Sequence, residues 1–133
     1  MSTYRLDKLF APRSVALIGG SPRERSVGRA ILGNLRTAGF AGPVRLVNPR
    51  HPEIDGVRAY TSIADLPDVP DVAIIAAPPA EVPAVIAAAG ARGCAAAIVI
   101  TSGLGHGPGS LSEAAERAAR ASGLRIVGPN CLG

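Results

Sequence analysis

Aromatic residues are scarce: the 133-residue chain has no Trp, two Tyr and two Phe. Its core must therefore be aliphatic, and it lacks the stacking platforms that nucleic-acid binders offer to bases. Cysteine is equally sparse, and two Cys in this length exclude a disulfide scaffold. Charged residues make up only 18%, too few for a disordered tail or a charge-patterned coil. No apolar run reaches the roughly 18 residues of a membrane span. The opening MSTYRLDKLFAPRS lacks the apolar stretch of a secretory signal. These absences predict a soluble, cytoplasmic α/β domain with no membrane or nucleic-acid partner.

What is present is aliphatic. Hydrophobic residues reach 47%, enough for one sizeable core in a single domain over 1–133. The 16 Gly have no three-residue period, which excludes collagen. Lys and Arg number 14 against 10 Asp and Glu, a net charge of +4. That is mild for a nucleic-acid binder. A small anionic ligand matches this balance better, and so does a merely solvated basic surface.

A strand-then-helix rhythm organises the chain. Short apolar runs occur at Ser14–Ile18, Val44–Val47, Asp71–Ala77, Ala95–Ile100 and Arg125–Val127. Each ends in turn residues: Gly19-Gly20, Asn48-Pro49, Pro78-Pro79, Thr101-Ser102-Gly103 and Gly128-Pro129-Asn130. Continuous runs bounded in this way suit strands buried on both faces of a parallel sheet. Helix periodicity fills the gaps. Val27, Ile31 and Leu35 recur within Ser26–Gly39; Val82, Val85, Ile86 and Ala89 recur within Ala80–Gly93. Ser110-Leu-Ser-Glu113 is a capping-box signature opening a third helix that ends near Ser122-Gly123. Ser62–Leu66 predicts one helical turn, and Asp7–Phe10 a small helix before the first strand.

The predicted architecture is a Rossmann-like, doubly wound parallel sheet of five strands in the order 3-2-1-4-5. Ligands of such sheets bind beyond the C-terminal strand ends at the switch point, here beside the first and fourth strands. Five tips line that crevice, and Gly or Pro stands at nearly every one.

At the first tip, Gly19-Gly20-Ser21 leads through Arg23, Arg25, Ser26 and Val27 to Gly28 at a helix mouth. Glycines after a strand, then free N–H groups and a helix dipole, make a phosphate cradle. The same residues equally make a tight strand–helix turn with surface arginines. The loop has neither the G-x-G-x-x-G spacing of dinucleotide binders nor the Gly-Lys-Ser/Thr of a P-loop. At the second tip, Val47-Asn48-Pro49-Arg50 has no carboxylate, where NAD-binding domains keep one for the ribose hydroxyls. Arg50 suits an extra phosphate, as on NADP or at the 3′ position of coenzyme A, or is a solvated loop residue.

Taken together, LFAPRSVALIGGSPRERSVGRAILGNLRTAGFAGPVRLVNPRH, DLPDVPDVAIIAAPPAEVPAVI, RGCAAAIVITSG and GLRIVGPNCLG resemble the N-terminal CoA-binding domain of the ADP-forming acyl-CoA synthetases. These belong to the succinyl-CoA synthetase superfamily. The same domain opens certain bacterial protein lysine acetyltransferases. The resemblance runs through nearly the whole chain, in order. It implies that CoA or acyl-CoA is the cofactor, held across the C-terminal edge of the sheet. By position, Gly19, Gly20, Ser21 and the Arg23–Gly28 loop would wrap the nucleotide phosphates. Val47, Asn48, Pro49 and Arg50 would flank the adenosine and its 3′-phosphate. Ala77, Pro78 and Pro79 would line the pantetheine path. Ile100, Thr101, Ser102, Pro129, Asn130 and Cys131 would sit nearer the thiol.

The resemblance also implies a piece of a longer polypeptide, working with downstream synthetase domains or a subunit. ATP and Mg would enter only through those parts. It leads us to expect Gly-Phe and an acidic residue after the fourth run, where this chain has Gly103-Leu104-Gly105-His106-Gly107-Pro108-Gly109. The family's phosphohistidine lies in a later domain, so His106 and His51 are expected to be polar loop residues and no catalytic residue is assigned. No His/Cys cluster marks a metal site. Cys94 and Cys131 fall at opposite sheet edges, too far apart for a disulfide. Two further readings share the fold: a CoA-sensing regulatory domain and an NADP-binding oxidoreductase domain.

Overall fold

The structure, a computed structural model, describes residues 13–19, 42, 44–50, 52–54, 57–101, 103–105 and 107–127. The expected helices at Asp7–Phe10 and Ser26–Gly39 lie outside these residues, as do His51, His106 and Cys131.

The apolar runs form strands β1 (Val15–Ile18), β2 (Val44–Val47), β5 (Val72–Ile75), β6 (Ala96–Val99) and β7 (Arg125–Val127). Two further strands, β3 (Glu53–Ile54) and β4 (Val57–Tyr60), stand between β2 and β5. The sheet order is β3-β4-β2-β1-β5-β6-β7. Among the described strands only the β3–β4 pair is antiparallel. Counting the parallel strands alone, the order is 3-2-1-4-5-6, the expected Rossmann-like pattern with one more strand. The third place belongs to β4, and each later run moves on by one. The run Val72–Ile75 therefore pairs directly with β1, Val15 opposite Val72 and Ile18 opposite Ile75. The switch point lies between these two strands, and Ile100-Thr101 stand one strand farther out.

The apolar runs are continuous because alternate residues feed two cores. Ala16, Ile18, Ala73, Ile75, Ala97 and Val99 point to one face. Val15, Leu17, Leu46, Val72, Ile74 and Ala96 point to the other. This is the period-2 geometry of a strand buried on both sides. On the first face lie helices α1 (Val82–Arg92) and α2 (Leu111–Ser122). They bury Val82, Ile86 and Ala89, and Ala115 and Ala119, respectively. Fully burying a side chain such as Ile75 or Ile86 contributes about 1.5–3 kcal/mol.

The helix ends follow the chemistry of their caps. A 3-10 turn at Pro79–Glu81 opens α1, with Pro in the first turn, where a missing N–H costs least. Gly93, left-handed at φ 104, closes it. Ser110 caps α2, its Oγ accepting from the Glu113 N–H at 3.1 Å. Glu113 Oε1 accepts from the Gly109 N–H at 3.0 Å, one residue before the cap, and from Arg117 at 3.2 Å. The two helices meet closely: a Cβ on Gly90 would lie 2.0 Å from Ser122 Oγ. The predicted turn after Ser62 is a 3-10 turn at Ile63–Asp65, with Ser62 Oγ accepting from the Ala64 N–H at 3.2 Å.

Candidate functional site

Because β1, β2, β4, β5, β6 and β7 run parallel, their C-terminal ends share one edge of the sheet. A cleft of about 930 Å³ opens there. Its floor is the tips of β1 (Ile18, Gly19), β2 (Val47–Arg50) and β5 (Ala76–Pro78). One wall is Ala80 and Glu81 of the 3-10 turn with Ala84, Val85 and Ala88 of α1; another is Thr61, Ser62 and Ile63 after β4.

Backbone hydrogen bonds stitch these tips together. The Gly19 N–H donates to Val47 O at 2.9 Å and the Ala76 N–H to Ile18 O at 2.8 Å. Gly19 has φ +94, and a Cβ there would lie 2.9 Å from Ala76 C and from Ala77 N. Both conformation and close approach therefore require glycine at this tip. Asn48 is buried at 7% exposure. Its backbone N–H donates to Tyr60 O at 2.8 Å, and its Oδ1 accepts from the Arg50 N–H at 2.8 Å. That Asx turn bends the chain at Pro49 and presents Arg50 at the cleft.

Arg50 is 65% exposed and pairs with Glu81, 42% exposed, at 3.5 Å. Among the described residues lining the cleft, these two alone carry charge. Glu81 stands at the N-cap of α1, where the helix dipole favours an anion. The remaining lining is small or apolar. An elongated ligand with an anionic group near Arg50 and a weakly polar body along α1 matches these walls.

Of the residues singled out in the sequence, the cleft gathers Gly19, Val47, Asn48, Pro49, Arg50, Ala77 and Pro78. Pro79 opens the 3-10 turn before α1. Ile100 is buried in the second core. Thr101 latches the next tip, its Oγ1 donating to Ala77 O at 2.7 Å. Gly20, Ser21, Arg23, Arg25, Ser26, Val27, Gly28, Ser102, Pro129, Asn130 and Cys131 lie outside the described residues. Sequence reasoning missed the α1 wall and the Thr61–Ile63 segment. Glu81 had a usable signal: it is the first carboxylate after a Pro-Pro strand tip, at the opening of a helix.

The perturbed titrating pair lies elsewhere. At the opposite edge Arg45 Nη2 meets Asp68 Oδ2 at 3.0 Å. The hydrogen bond from Arg45 holds the Asp68 carboxyl below its ordinary value and raises the guanidinium in turn. Asp71 also stands at that edge, accepting from the Arg13 N–H at 2.8 Å. Among the described residues no group of three or more His, Cys, Asp or Glu is placed to hold a metal ion. None of the described helices is long and apolar enough to cross a membrane.

Known proteins match this chain throughout. The chain is 39% identical over 131 residues to an ADP-forming acetate–CoA ligase of Methanocaldococcus jannaschii, which covers 98% of the chain and 18% of the ligase. It is 36% identical to a trans-feruloyl-CoA synthase from an unknown prokaryotic organism, covering 99% of the chain and 19% of the synthase. The chain thus spans about a fifth of the length of these curated relatives. Among solved structures, acetyl-coenzyme A synthetase 1 of Candidatus Korarchaeum cryptofilum, in complex with phosphate and ADP, superposes with a TM-score of 0.88 at 39% identity. That match covers 96% of this chain and 28% of the synthetase. The family described as CoA binding domain matches residues 13–133, and the chain belongs to that family.

Proposed function

We propose that this chain binds coenzyme A, free or acylated, in the cleft beyond β1, β2 and β5. We further propose that it serves as the CoA-binding domain of an ADP-forming acyl-CoA ligase. The observation that carries the reading is the convergence of the Gly19, Asn48-Pro49-Arg50 and Ala77-Pro78 tips on one cleft, in a chain of the CoA binding domain family. Arg50 takes the 3′-phosphate. The Gly19–Gly28 loop takes the pyrophosphate, and the Ala76–Pro79 tip passes the pantetheine arm toward Thr101 and the Pro129–Cys131 segment.

The acyl group is chosen elsewhere. Relatives named for acetate and for feruloyl-CoA match this domain at 39% and 36% identity, which supports reading the shared part as the part that meets CoA. ATP and Mg²⁺ act through synthetase domains or a subunit outside this chain. The 133-residue chain alone therefore forms no acyl-CoA from ATP, CoA and acetate.

Calorimetry of the chain with CoA, 3′-dephospho-CoA and NADP tests the reading. CoA binds, and removing the 3′-phosphate weakens binding by about threefold or more, the range of one charge-assisted contact opposed by a neighbouring carboxylate. NADP binds more weakly than CoA. A folded chain that ignores CoA, or prefers NADP, overturns the proposal.

A further inference from the structure

The cation offered to a ligand phosphate in this cleft is already engaged. Arg50 Nη2 lies 3.5 Å from Glu81 Oε2. The two side chains come from different tips, 31 residues apart, and no other charged group among the described residues lines the cleft. The Asx turn at Asn48 fixes the backbone of Arg50. The 3-10 turn, closed by the Glu81 N–H to Pro78 O at 2.9 Å, fixes that of Glu81. The pairing thus joins two well-anchored backbones through two exposed side chains, and it can open without disturbing the fold.

We propose that Glu81 is a specificity-determining residue of the cleft: a built-in anion that competes with the ligand's phosphate for Arg50. This rests on the reading of the cleft as a CoA site with Arg50 toward the 3′-phosphate. A dianionic phosphate reaching Arg50 must displace the Glu81 carboxylate or share the guanidinium with it. In either case one negative charge remains close to another. Glu81 therefore lowers the advantage that the 3′-phosphate gives to CoA over its dephosphorylated form. The Arg50–Glu81 pair is exposed, so the loss is bounded by the worth of a surface ion pair, roughly a two- to fivefold change in affinity.

The measurable quantity is the phosphate advantage, Kd for 3′-dephospho-CoA divided by Kd for CoA. Taking this ratio cancels the general effect of Glu81 on the other phosphates, which both ligands carry. It is measured by calorimetry for the 133-residue chain, Glu81→Gln, Arg50→Gln and the double variant. Both altered positions are solvent-facing, and circular dichroism checks that each variant is folded. The proposal expects the advantage to rise about two- to fivefold in Glu81→Gln. It expects the advantage to fall to one or below in Arg50→Gln, where Glu81 faces the phosphate unopposed, and to return only toward one in the double variant, a smaller change than Glu81→Gln makes with Arg50 present. An advantage unchanged or lowered in Glu81→Gln, with CoA still bound by the parent chain, overturns the role of Glu81 and leaves the CoA site standing. An advantage near one in both the parent chain and Glu81→Gln overturns it by removing Arg50 from the 3′-phosphate. A folded parent chain that does not bind CoA overturns both readings together.

Discussion

Replacing Gly19 by Ala tests the tightest point of the cleft floor. Two costs arise. A Cβ-bearing residue held at the positive φ of +94 loses about 1–2 kcal/mol. The new methyl also lies 2.9 Å from Ala76 C and Ala77 N, well inside the ~3.5–4.0 Å of ordinary carbon contact. Those are backbone atoms of a strand end, so the tip must shift, at about 1–3 kcal/mol. The lower chain entropy of unfolded Ala offsets about 0.4–1 kcal/mol. The net loss is about 1–4.5 kcal/mol, a large part of the ~5–15 kcal/mol of a typical domain. Urea unfolding followed by circular dichroism should show a lower midpoint at unchanged slope. Gly107→Ala is the control for conformation alone, since its φ is +83 and a Cβ there meets nothing within 4 Å. It should lose less than Gly19→Ala. Equal losses at the two positions, or a Gly19→Ala variant within about 0.5 kcal/mol of the parent, would refute the argument from close approach.

Two other perturbations address the frame that carries the cleft. Gly90→Ala places a methyl 2.7 Å from Ser122 Cβ and 2.0 Å from its Oγ. It should destabilise by about 1–2 kcal/mol despite the ~1 kcal/mol gain in helix propensity, and Gly90→Ala/Ser122→Gly should recover most of that loss in a thermal melt. Asp68, held by Arg45 below the ordinary carboxylate value of 3.8, binds its proton less readily folded than unfolded. Its contribution is full above that value and is lost as pH falls through the lowered one. The pair is 32% and 39% exposed, so that contribution is at most about 1 kcal/mol. Asp68→Asn should therefore cost stability near neutral pH and show a shallower acid loss below about pH 4 in urea titrations.

The sheet and its first tip were legible because their signals are local. The runs of β1, β5 and β6 alternate into two cores, so no polar residue interrupts them, and Gly19 follows the first run where the neighbouring tip closes in. The strand Val57–Tyr60 carries no such signal. It has exposed Arg58 beside buried Ala59 and joins β2 through Leu46–Ala59 and Val47–Tyr60 alone. That insertion decides which run lies beside β1, and strand neighbours are a non-local choice that periodicity cannot supply. The cleft was half legible for the same reason. Tips following strands were found from turn residues, whereas Glu81 reaches Arg50 across 31 residues. In the α1 wall, Ala84 and Ala88 belong to a helix whose periodicity revealed only Val82, Val85, Ile86 and Ala89.

If CoA lies at the C-terminal edge of the sheet, between β1 and β5, its contacts fall on the tips of those strands. Titrating CoA into the 15N-labelled chain and following amide shifts tests it most directly. CoA bound in the cleft gives saturable shifts at Gly19, Asn48, Arg50, Ala77 and Ala84, all lining it. Asp68, Gly93 and Gly123, which lie outside that lining, do not shift. Shifts concentrated at Asp68 and Gly93, with Gly19 and Arg50 unmoved, would contradict it.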